Sequence, residues 1–104
     1  MKRRTADSMI FAISFTPENF SARLLDLVND LPNIEEIQLA GCDVHDDDLK
    51  KLVTLYRLQG IGLNQTPITH KGLKLLSEMK RLTLIEYNGQ VYDSIDEIIG
   101  LEEE

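Results

Sequence analysis

A chain of 104 residues with 42% apolar and 28% charged side chains has the make-up of one globular domain with its own core. No apolar run approaches the ~20 residues of a membrane-spanning helix. The net charge of −7 argues against nucleic acid as a partner, because phosphate binding requires a basic footprint.

Residues 1–7 are polar and read as a flexible arm ahead of a single domain over 8–100. Ser14 interrupts the apolar residues beyond the arm, so the start lacks the apolar region of a secretory signal. Cys42 is the single cysteine, which permits no internal disulfide and fits a cytoplasmic setting. Ile10, Ile13 and Phe15 open the apolar pattern. Thr16-Pro17 then reads as a cap and first helical residue, leading to Val28 and Leu31. Ile34, Ile37 and Leu39 end in the alternation of a short strand with one buried face, and Leu49, Leu52, Val53 and Leu55 come next at helical spacing. The pair returns as Leu58, Ile61 and Leu63, then Leu73, Leu75, Leu76 and Met79. Leu82, Ile85 and Tyr87 form the last strand pattern, with Gln90 and Tyr92 beyond it. Ser94-Ile95-Asp96-Glu97 has capping-box spacing ahead of Ile98 and Ile99, with Gly100 as the helix stop and 101–104 as an acidic tail.

These patterns superimpose at a single constant offset, the step from Leu31 to Leu55. In that register Ile34 falls over Leu58, Ile37 over Ile61, Leu39 over Leu63, Cys42 over Thr66, Val44 over Ile68 and Leu49 over Leu73. One step further reaches Leu82, Ile85 and Tyr87, and one step back reaches Ile10, Ile13 and Phe15. The unit resembles the leucine-rich repeat, in its cysteine-containing subtype and the bacterial form with Thr at the Cys position. "LQGIGLNQTPITHKGLKLL" (58–76) matches nearly throughout, and "IEEIQLAGCDVHDDDLKKL" (34–52) matches with Asp48 where the family has Gly. The resemblance is strongest over 31–79. It implies an α/β fold: a short solenoid of about four strand–turn–helix units, with a parallel sheet on one face and helices on the other. A four-stranded α/β sheet with helices on both faces has the same element order, but requires no sequence period.

The segment Cys42-Asp43-Val44-His45-Asp46-Asp47-Asp48 gathers residue types that bind metals. In the repeat, Cys42 and Val44 are inward positions, and the aspartates fall in a first helical turn, where negative charge is favoured. No metal site is therefore expected; the adjacency of His45 and His70 is the remaining chemical question. No phosphate-binding glycine loop, nucleophile elbow or paired-histidine zinc motif is present, and Cys42 at an inward position is no nucleophile. The expectation is a protein that is not an enzyme and carries no cofactor.

Charge alternates along the chain: −4 over 31–54, +4 over 55–81 and −7 over 82–104. This reads as complementary charge between stacked neighbours. The resemblance implies a partner on the strand face, whose columns are Ala12, Glu36, Gly60 and Leu84; Ser14, Gln38, Gly62 and Glu86; and Thr16, Ala40, Asn64 and Asn88. The expected partner-binding residues are Glu36, Gln38, Gly60, Gly62, Asn64, Leu84, Glu86 and Asn88, and the expected function is non-catalytic protein binding. An acidic immunity or inhibitor protein that neutralises a basic toxin is the alternative. A structural subunit is the second: a weak homo-oligomer joined through open ends at Met9 and Phe11, or at Tyr92 and Leu101. Neither a nucleic acid nor a membrane is expected as partner.

Overall fold

The computed structural model describes residues 10–31 and 33–103; the arm expected over 1–7 and the end residue Met9 lie outside the described residues. Five short strands form one sheet in chain order: β1 (Ala12–Ser14), β2 (Glu36–Gln38), β3 (Gly60–Gly62), β4 (Leu84–Tyr87) and β5 (Gln90–Tyr92). β1 to β4 are parallel, and β5 returns antiparallel to β4. Between them lie α1 (Arg23–Val28), a 3₁₀ helix (Asp46–Lys51) and α2 (His70–Leu76), with α3 (Ile95–Glu103) after β5.

The sequence period is the pairing register. Ile13 lies beside Ile37, Ile37 beside Ile61, and Ile61 beside Ile85, so each strand pairs with the next at the offset of the repeat. The backbone ladder keeps the same step. The Phe11 carbonyl accepts from the N–H groups of Glu35 (2.7 Å) and Glu36 (3.1 Å). The Glu35 carbonyl does the same for Gln59 and Gly60, and the Gln59 carbonyl for Thr83 and Leu84.

The core is built on that register. Ile37, Ile61 and Ile85 project from one sheet face, with Leu39, Leu63 and Tyr87 two residues on. Opposite them each helical segment buries a pair at i and i+3: Leu25 and Val28, Leu49 and Leu52, Leu73 and Leu76, Ile95 and Ile98. β–α–β crossovers are right-handed, and here each advances by one strand in the same direction, so the helices share one face of the sheet. Ala12, Ser14, Glu36 and Leu84 stay exposed on the other face. The arrangement with helices on both faces is not formed.

A left-handed residue comes after the parallel strands at the same step: Gly41 (φ +78°), Gln65 (φ +59°) and Gly89 (φ +82°). The equivalent position in the first unit is Pro17, whose ring holds φ negative. The first unit therefore departs from the others. Thr16 and Pro17 do not open a helix: Thr16 N–H donates to the Asn19 side chain at 3.0 Å, and α1 starts only at Arg23. In the fourth unit Asn88 is also left-handed (φ +55°), and two such residues in succession close a tight hairpin between β4 and β5. The second unit has a 3₁₀ turn where an α-helix was expected. Near the C-terminus, Glu97 N–H donates to Ser94 Oγ (3.3 Å), as a capping box requires, while the Glu97 carboxylate accepts from Asp93 N–H (3.1 Å). Gly100 does not stop α3, which runs on to Glu103 and takes in most of the expected acidic tail.

Candidate functional site on the open face of the sheet

β3 reads Gly60-Ile61-Gly62, so both of its outward positions lack a side chain. The flanking strands carry Glu36 and Gln38 on one side and Leu84 and Glu86 on the other. A groove of about 370 Å³ results, floored by the two glycines, bordered by these four side chains and extended towards Ala12 and Ser14 of β1. Six of the eight residues expected on the binding face thus share one depression.

The two glycines differ. The Gln38 side chain lies across Gly62, donates from Nε2 to Glu86 Oε1 at 3.1 Å and accepts from Ala40 N–H at 3.0 Å. A Cβ on Gly62 would collide with the Gln38 amide, so the bridge exists because position 62 is glycine. Gly60 is also buried, but a Cβ there would meet Glu36 Cγ at 3.5 Å and Leu84 Cβ at 3.9 Å, ordinary contacts. The groove is closed at one end by the Gln38–Glu86 bar and runs over the buried Gly60 between Glu36 and Leu84. Leu84, 47% exposed, forms an apolar wall facing the Glu36 side. Glu36 and Glu86 are the charged residues among its lining, and both are acidic.

Asn64 and Asn88 are not in the groove. Asn64 Oδ1 accepts from Gly89 N–H at 2.8 Å and holds the hairpin, while Asn88 is a turn residue of that hairpin. The strand template extended one column too far in both units. The Asn88-Gly89 dipeptide, a strong hairpin signal, was the sequence feature that could have corrected it.

The acidic segment divides into separate tasks. His45 and Asp48 close the start of the 3₁₀ helix: the His45 carbonyl accepts from Asp48 N–H (2.9 Å), the Asp48 carboxylate accepts from His45 N–H (3.0 Å), and His45 Nε2 lies 2.8 Å from Asp43 Oδ1. Asp46 reaches the next unit, where its carboxylate accepts from Thr69 N–H (2.8 Å) and Thr69 Oγ1 (2.5 Å) at the start of α2. A Cβ on Gly72 would collide with the Asp46 carboxylate, which explains glycine there. His70 packs edge-on against Tyr87 with ring centroids 6.1 Å apart. His45 and His70 therefore serve different neighbours. Among the described residues, no three His, Cys, Asp or Glu side chains are grouped to hold a metal ion.

Cys42 is 1% exposed, with Sγ 3.9 Å from the Ala40 carbonyl, and burial pushes its thiol pKa up. Its counterpart Thr66 donates from Oγ1 to the Leu63 carbonyl at 2.8 Å. The expected charge complementarity takes another form. Lys51 pairs with Asp26 of α1 at 3.1 Å, whereas among the described residues no ion pair joins an aspartate of 43–48 to a lysine or arginine of 55–81. Compared with protein-family models, curated proteins and solved structures, the chain matches none. No described helix is long and apolar enough to cross a membrane.

Proposed function

We propose that the chain is a short leucine-rich-repeat solenoid, non-catalytic and cytoplasmic, that binds a protein partner through the open face of its sheet. The observation that carries this reading is the groove over Gly60 and Gly62, set in a sheet face whose other outward residues are exposed or half-buried. The common step of sequence, strand register and left-handed turn supports the repeat assignment. Single, buried Cys42 suits a reducing compartment.

A tagged pull-down from the native cell, with partners identified by mass spectrometry, tests the binding role. Wild-type protein is compared with Ser14→Arg and Leu84→Arg, which alter the open face, and with Leu27→Arg, which alters exposed α1. A partner lost with the first two substitutions and kept with the third is the expected result. Equal capture by all four proteins overturns the assignment of the face.

The inhibitor reading has one observation in its favour, the two carboxylates bordering the groove in a chain of net charge −7. Opposite charge accelerates encounter with a basic protein. Capture that weakens steeply with added salt is expected for such a partner, and salt-insensitive capture counts against it.

A further inference from the structure

The part of the groove over Gly60 lies between flanking side chains of unlike chemistry. Its floor is the buried backbone of Gly60, its far end is the Gln38–Glu86 bar, and its sides carry the Glu36 carboxylate and the apolar Leu84. From the spacing of strands and residues, Glu36 and Glu86 start about 12 Å apart, on the two strands that flank the opening. Glu86 gives one oxygen, Oε1, to Gln38, which fixes the carboxylate at the end of the opening. Among the described residues, no cationic side chain of this chain lines the groove.

We propose that this pocket receives a single arginine or lysine side chain from a protein partner, with its aliphatic stem against Leu84 and its cationic head between Glu36 and Glu86. The inference rests on the strand-face reading and narrows it from a surface to one residue of the partner. Charge complementarity selects the occupant. An acidic side chain would meet two carboxylates, and an apolar one would cover them without pairing them, at the cost of desolvation. A long side chain with an apolar stem and a charged tip meets both requirements at once. The Gln38 bridge contributes by pre-positioning Glu86, so that less motion is lost when the partner arrives.

The test is selection of a random heptapeptide library on the immobilised wild-type protein, with affinity measurements on the enriched peptides. Enriched sequences are expected to share one Arg or Lys. Binding is expected to weaken about fivefold for Glu36→Gln and again for Glu86→Gln, the upper range for a single exposed ion pair. Replacing the shared arginine by citrulline, which keeps the shape and removes the charge, should abolish the sensitivity to both variants. Gly60→Val fills the pocket and should remove binding; if its melting profile departs from wild type, Leu84→Gln takes its place. Enriched peptides without a basic residue that are still lost on filling the pocket overturn the cationic occupant and leave the strand-face reading standing. Peptides indifferent to every face variant, or no enrichment at all, overturn both.

Discussion

Gly60 and Gly62 look alike in the sequence and have opposite consequences. Ala at 60 meets only ordinary contacts and removes the entropic penalty of a strand glycine, so Gly60→Ala should stabilise by about 0.5 kcal/mol. Ala at 62 must displace the Gln38 amide from both Glu86 and the Ala40 N–H, so Gly62→Ala should destabilise by about 1 kcal/mol. Melting temperatures that move in the same direction for the two variants would contradict this account. The dip in the face was legible in the sequence, because the register put both glycines in outward columns. The bridge was not, because a column says which side chains are neighbours and nothing of the rotamers they choose. Burial of Cys42 was legible for the opposite reason, since an inward position leaves little choice. Its raised pKa has a sign that can be worked out. In the unfolded chain the thiol ionises at its ordinary value, so above about pH 8 the unfolded state binds fewer protons than the folded one and stability falls. Cys42→Thr has no thiol to ionise and can donate as Thr66 does. The melting temperature of the wild type should therefore drop relative to this variant between about pH 8 and 10.

At the scale of the element, the turn after each strand sets the course of the chain. A left-handed residue at 41 or 65 leads on to a helical segment, and Pro17 cannot adopt that conformation. This is why the Thr16-Pro17 signal misled. The dipeptide is common at helix starts, but the position that the repeat assigns to Pro17 belongs to the turn. The helices of the middle units were legible from Leu49, Leu52, Leu73 and Leu76, although the tighter 3₁₀ winding of the first of them was not. Its start is fixed by the Asp48 carboxylate, which accepts from the His45 N–H. Among the left-handed residues at 41, 65 and 89, Gln65 is the non-glycine. Gln65→Gly should stabilise by up to about 1 kcal/mol, and Gly89→Ala should destabilise by about 1–2 kcal/mol, both read by chemical denaturation. An unchanged midpoint for Gly89→Ala would mean that the hairpin is not held as described.

At the scale of the molecule, buried residues from every strand–helix unit belong to one hydrophobic cluster. Ile61 lies near its centre, 1% exposed, between Ile37 and Ile85 on the neighbouring strands. Ile61→Ala should cost about 2–5 kcal/mol. Its loss should weaken the whole domain, so circular dichroism and tyrosine fluorescence should report one coincident unfolding transition. Separate transitions would show that the units unfold independently. The parallel α/β sheet was the most legible level of all, because a period shared by strand and helix can be read without knowing a single contact. What the period concealed was its own end: extended past Tyr87, it gave Asn88 a place on a strand face where the chain in fact reverses.

That reversal has a consequence for growth of the fold. Each carbonyl at 11, 35 and 59 grips two consecutive N–H groups at the start of the next strand, so a further copy spliced between β1 and β4 would find its pairing partners already in place. Beyond β4 the series is interrupted, because β5 runs the other way and offers its outer edge in the wrong sense for a parallel newcomer. Lengthening by duplication therefore keeps the parallel ladder when the copy lies before β4, and loses it beyond β5. A designed variant with one extra copy of residues 36–59 should keep its hairpin as the terminal strand pair.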